Sequence, residues 1–153
     1  MKYLKQSAYW VPVLTALAAC SGKDPQAAKP NGPPQLDSSQ RILVARKLSE
    51  IAGQANGAAP ADIDENTRLD GAKAGPGLKL TTTYTLVNAD KEGVDSSTFE
   101  AKLGPVVKRG SCTNPDLRPL INMGVIVILE YRGNDGKPIG TINVTRDTCA
   151  AIK

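Results

Sequence analysis

Val125-Ile126-Val127-Ile128-Leu129 decides the fold. Four of these five residues are β-branched, and the run is too short for a helix of ordinary length, so it reads as a strand. It is apolar at both parities, which predicts a central strand covered on both faces at that end. From Glu130 the pattern alternates. Gly133-Asn134-Asp135-Gly136 then supplies turn chemistry, and Ile139 to Thr145 returns with Ile142 and Val144 inward. The C-terminal third is therefore expected to be an antiparallel hairpin.

Working outward, Leu78 to Val87 is a second clear strand. Leu78, Leu80, Thr82, Tyr84 and Leu86 share one side, and Lys79, Thr81, Thr83, Thr85 and Val87 take the wetter one. Gly75-Pro76-Gly77 can turn it onto a preceding strand from Thr67 to Ala74. Asp62-Ile63-Asp64-Glu65-Asn66 invites a calcium-loop reading, but Thr67 and Lys73 stand where an EF-hand needs Gly and Glu, so an acidic surface loop is expected.

Three helices complete the pattern. Asp37, Ser38 or Ser39 can cap the first, whose Val44, Leu48, Ile51, Ala52 and Ala55 form one apolar face before Asn56-Gly57 stops it. A second runs from about Ser96 with Phe99, Leu103, Val106 and Val107 on one face, and Gly104-Pro105 is expected to kink or divide it. A short third is expected with Asn114 as cap and Pro115 at its first helical position, carrying Leu117, Leu120 and Ile121 and ending at Gly124. The segregated order of helices and hairpins predicts an α+β domain: about four mainly antiparallel strands, with an N-terminal amphipathic helix and short helices packed on the sheet. The pattern is similar to that of small exported bacterial domains with a cysteine-tied C-terminal hairpin. No named family attaches to it.

The N-terminus gives an address. Lys2 and Lys5 form a positive region, Ala8 to Ala19 an apolar one, and Leu17-Ala18-Ala19-Cys20 closes it. The apolar run is shorter than the roughly 20 residues of a membrane span. The four-residue close resembles the lipobox of a bacterial lipoprotein signal. The resemblance implies cleavage before Cys20, a diacylglyceryl thioether on that cysteine and an acylated amino group. Several acyl chains together anchor stably, where one binds only marginally. Ser21, where an Asp would favour inner-membrane retention, points to the outer membrane, facing the periplasm. The rival is an ordinary secretory signal cut after Ala16-Leu17-Ala18, which would leave Cys20 as a free thiol. Residues 1–19 are thus expected to be signal, 20–36 a lipidated Cys20 with a Pro/Gly-rich tether, and 37–153 one α+β domain.

Composition narrows the partners. Removing residues 1–19 leaves 134 of the 153 residues, with 17 basic against 15 acidic side chains, a net charge of +2. Nucleic acid is not an expected partner, because no basic face is concentrated in the sequence. Export into an oxidising compartment predicts that Cys112 and Cys149 pair, worth about 4 kcal/mol by loop-closure entropy.

Catalytic chemistry is sparse. The chain has no histidine, which excludes Ser-His-Asp and Cys-His catalysis and the usual zinc sites. No phosphate-loop motif occurs. Neither a catalytic residue, a metal nor a cofactor is expected. The expected function is a non-catalytic, lipid-anchored envelope protein that binds a protein partner. That partner would be an envelope complex, or a toxin or lytic enzyme neutralised in the manner of immunity and inhibitor lipoproteins. The candidate partner face is the side of the Val125–Leu129 strand that carries Ile126 and Ile128; the rival account covers that side with packed loops. Two other functions stay open. A cell-wall hydrolase would need two carboxylates about 5–10 Å apart. A small-ligand carrier would need an apolar pocket of several hundred Å³.

Overall fold

The computed structural model describes residues 35–152. Cys20, the expected signal and nearly all of the expected tether lie outside the described residues. Leu36, at the tether's end, packs against the core.

The chain runs α1 (Ser38–Ala58), β1 (Ala61–Asp64), β2 (Thr67–Gly75), β3 (Lys79–Leu86), α2 (Ser96–Thr113), α3 (Leu117–Asn122), β4 (Ile126–Gly133), β5 (Pro138–Val144) and α4 (Arg146–Ala151). The fold is α+β, with one five-stranded sheet in the order β1-β2-β3-β4-β5. Two expectations are corrected here. The strands number five instead of four, because Ala61–Asp64, expected as an acidic loop, pairs antiparallel with β2. An edge strand wet on both sides carries no alternation to reveal it; its burial runs from half-buried Ala61 to exposed Ile63 and Asp64. In addition, β3 and β4 pair in parallel, with Leu80 opposite Val127 and Tyr84 opposite Tyr131. The intervening α2 and α3 form the long crossover that a parallel neighbour requires.

Register sorts the side chains onto two faces. Leu80 of β3, Val127, Leu129 and Tyr131 of β4, and Ile142 and Val144 of β5 are buried on one side, where they join Val44 and Leu48 of α1, Phe99 of α2 and Leu120 and Ile121 of α3 in a single core. The opposite face carries Thr81, Thr83, Ile126, Ile128, Thr141 and Asn143, all half-buried or exposed. The Val125–Leu129 strand is therefore central but covered by helices on one side only, which corrects the two-sided reading. Its second apolar parity is shielded by the neighbouring threonines and by the strand itself. On that same face the buried Thr85 hydroxyl donates to Asp70, which also accepts from Arg68 Nε at 3.0 Å. A buried hydroxyl is thus satisfied, avoiding the cost of an orphaned polar group.

The helices differ from expectation in detail. Asp37 and Gln40 form a capping box at the start of α1. α2 is undivided over 18 residues despite Pro105, because Phe99, Gly104, Ser111 and Cys112 are buried along its length and packing outweighs the lost donor. Asn114 closes α2, and its Oδ1 accepts from the backbone N–H of Asp116 and Leu117; α3 begins only at Leu117 with Asp116 in the cap position, so Asn114 and Pro115 stand in the turn before the helix instead of at its cap and first position. The last strand is followed by α4, which the sequence pattern did not announce; Thr145 and Thr148 form its capping box. Cys112 and Cys149 are joined in a disulfide. Both are buried, and the bridge ties the last turn of α2 to α4.

Candidate functional site

A groove of about 620 Å³ opens on the helical side of the sheet, between the β1–β2 turn and the first turns of α2. Its apolar floor comes from three parts of the chain: Leu86 at the end of β3, Val94 from the following loop, and Phe99 and Leu103 from α2. Phe99 is seated by its neighbours. Its ring meets Tyr131 edge-on at 5.1 Å, and Tyr131 stacks on Tyr84 at 5.2 Å. Gly140 makes the space, since a Cβ there would lie 3.0 Å from the Phe99 ring. Burial, and then the neighbouring Tyr84, push the Tyr131 hydroxyl up to about 12, and burial also raises Tyr84.

The rim is polar and mostly acidic. Asp64 and Glu65 stand on the β1–β2 turn, Asp95 at the start of α2, and Lys102 one helical face along. Two of these carboxylates hold backbone. Asp64 accepts from the Asn66 N–H at 2.8 Å. Asp95 caps α2 by accepting from the Thr98 N–H at 2.7 Å and from the Ser97 hydroxyl at 2.6 Å. The Ser97 bond first, then the Thr98 bonds, hold its carboxyl down at about 2. A group so stabilised as an anion is not a proton donor at neutral pH.

The walls of the groove are braced by side-chain hydrogen bonds and ion pairs. Asn88 Nδ2 donates to the Glu65 carbonyl at 3.1 Å and to Asn66 Oδ1 at 2.9 Å, fastening the β1–β2 turn to the end of β3. Ser96 donates to the Ile139 carbonyl at 2.7 Å and accepts from Lys91, which fixes the entry of α2 over β5. Lys137 Nζ reaches Glu92 at 2.7 Å and Asp135 at 3.3 Å, linking the loop that carries Val94 to the β4–β5 turn. These last pairs are exposed, so they position the loop more than they stabilise it. A groove held this way spends little ordering free energy on binding.

The residues expected from the sequence lie elsewhere. Ile126 and Ile128 are half-buried on the opposite, helix-free face, paired in register with Lys79 and Thr81. Cys112 and Cys149 are structural and away from the groove. Of the groove residues, the sequence raised only Asp64, Glu65 and Asn66, as part of the calcium loop that Thr67 and Lys73 rule out; the groove itself joins a turn, a strand end and a helix start whose side chains each have an ordinary local reason. Among the described residues no group of three or more metal-ligating side chains converges, and no helix is long and apolar enough to cross a membrane.

No family model and no curated protein sequence matches the chain. Solved structures do. The pilotin EpsS of the Vibrio vulnificus type 2 secretion system superposes with a TM-score of 0.62 at 14% identity, covering 74% of this chain and 97% of its own. The type II secretion system pilotin AspS of Vibrio cholerae gives 0.55 at 14% identity, covering 71% and 94%. The chain shares its fold with two pilotins. A Pseudomonas aeruginosa protein described as secreted is similar too, with a TM-score of 0.61 at 16% identity, covering 71% of this chain and 94% of that one. At these identities the likeness concerns the fold. It extends over nearly the whole length of each neighbour.

Proposed function

We propose that this chain is a non-catalytic, lipid-anchored protein of the bacterial cell envelope whose domain binds a segment of a protein partner in the groove beside α2. The observation that carries the reading is the groove itself: a preformed apolar floor with an acidic rim, on a fold shared with two type II secretion pilotins. A groove of this kind suits an extended or helical segment that buries apolar side chains on Leu86, Val94 and Leu103. Asp64, Glu65 and Asp95 outnumber Lys102 on the rim, so the segment is basic at its flanks. The fold likeness makes a component of a secretion assembly the leading partner, ahead of a toxin or lytic enzyme. In this reading Cys20 carries the lipid, residues 20–36 tether the domain, and residues 37–153 face the periplasm from the outer membrane.

The hydrolase alternative loses support from the groove, because two of its carboxylates are committed to a turn and a cap. The carrier alternative keeps one supporting fact, the groove volume, which lies in the range of small-molecule sites. The open side and charged rim favour a polypeptide. In this reading Ile126 and Ile128, on the face away from the groove, take no part in the contact.

Two exposed positions test the reading without touching the core. Thr98→Trp fills the groove from its rim, and Glu65→Lys reverses a rim charge; both residues are exposed. Co-isolation of the partner from the native envelope is expected to fall about tenfold with either change, the size of a lost anchor contact, while thermal unfolding is unchanged. Retention of the same partner by both variants would contradict the groove as the site. Intact mass of the mature protein tests the anchor, and a Cys20 without lipid would remove it.

A further inference from the structure

The first turns of α1 carry an apolar pair left largely exposed among the described residues. Ile42 is 62% and Leu43 61% exposed. They are adjacent, unlike Ile63 and Val106, which stand alone on other elements. Basic residues lie around them: Arg41 and Arg46 have no carboxylate within ion-pair distance among the described residues, and Lys47 is paired with Glu50 at 3.4 Å. Beside Ile42 lies the β2–β3 turn, Gly75 to Leu78, which shares a shallow hollow with Arg41 and Ala45. Lys79 follows that turn and is exposed.

The position of the pair gives it an occupant. We propose that the Ile42–Leu43 end of α1 docks into an anionic phospholipid surface and thereby sets the orientation of the domain on its membrane. The proposal rests on the lipid at Cys20. The chain from Cys20 to the Asp37 cap is 17 residues, a reach of at most about 60 Å. The lipid therefore confines the N-terminus of α1 to the neighbourhood of the bilayer, and the described side chains nearest that point are apolar and basic, the combination that interfacial helices use. The orientation has a consequence for the groove. The docking turn lies at the start of β3, whereas Leu86, in the groove floor, lies at its end. Seven strand steps separate them by about 23 Å. A domain seated on Ile42 and Leu43 presents its groove away from the bilayer, toward the periplasm.

The mature chain lends itself to a direct test, because its only tryptophan, Trp10, leaves with the signal. Single reporters Ile42→Trp, Leu43→Trp and Val106→Trp are placed in the lipidated protein. Each is reconstituted in phosphatidylcholine vesicles with or without phosphatidylglycerol, using brominated acyl chains. Blue-shifted emission and bromine quenching are expected at 42 and 43 in the anionic vesicles, and neither at 106. Removing a base with Arg46→Gln is expected to weaken docking about fivefold, the factor for one surface charge. Unquenched reporters at 42 and 43, with lipid on Cys20 verified by mass, would overturn the docking and leave the anchor standing. Absence of lipid on Cys20 would remove both. Equal quenching at all three positions would also overturn it, as would shielding of 42 that needs added envelope proteins.

Discussion

At the scale of single residues, Asp95 and Gly140 set the groove and each makes a measurable prediction. Asp95 is anionic and bonded in the folded protein, with its carboxyl lowered from 3.8 to about 2. A lowered folded value means that the cap contributes stability above about pH 4, and that this contribution is lost as pH falls toward 2. Urea midpoints followed from pH 6 to pH 2 should therefore fall more steeply for the native protein than for Asp95→Asn; equal slopes would remove the cap from the account. Gly140 faces the Phe99 ring with only 3.0 Å available to a Cβ. Gly140→Ala should cost about 1–3 kcal/mol through overpacking of a buried aromatic, read as a lowered denaturation midpoint. A neutral result would mean that Phe99 is free to move, and the groove floor with it.

At the scale of elements, the disulfide and the central strand are the parts to test. The bridge joins α2 to α4 across a separation of 37 residues, so the double change Cys112→Ser with Cys149→Ser should destabilise the domain by about 2–5 kcal/mol. Chemical denaturation measures this, and a loss below the range would mean that α4 contributes little to the fold. Ile128 distinguishes the two accounts of the helix-free face. Half-buried and flanked by Thr81 and Asn143, it should tolerate Ile128→Asp at a cost of about 1–2 kcal/mol; outright unfolding would rule it out as a free partner face. These elements also mark how far the sequence could be read. The hairpin of β4 and β5, the alternation of β3 and the apolar stripes of α1 and α2 were legible because burial repeats at two or at 3.6 residues. The edge strand β1 was not, because nothing covers it. The parallel pairing of β3 and β4 was not either, since alternation reports which residues share a face and says nothing of strand direction. Pro105 misled because propensity is local, whereas the helix around it is held by the core.

At the scale of the whole molecule, the layers divide the work. Every helix lies on one face of the sheet, and the groove forms where that helical layer leaves the ends of β2 and β3 uncovered. The sequence announced one ingredient of this arrangement, a disulfide-stapled α+β domain, but the groove needed Asp64, Leu86, Val94 and Leu103 to meet from four separate segments. Its place at the far end of β3 from Ile42 and Leu43 gives the proposal a polarity, in which one end of the molecule faces the lipid and the other a partner.

A photocrosslinking side chain placed at Lys102, on the rim of the groove, tests that polarity in the native envelope, with Thr141 on the opposite face as its comparison. Both sites are exposed. The account predicts one defined protein adduct from position 102, abolished by Thr98→Trp, and none from position 141. An adduct formed only from position 141, or one from position 102 that survives Thr98→Trp, would contradict it.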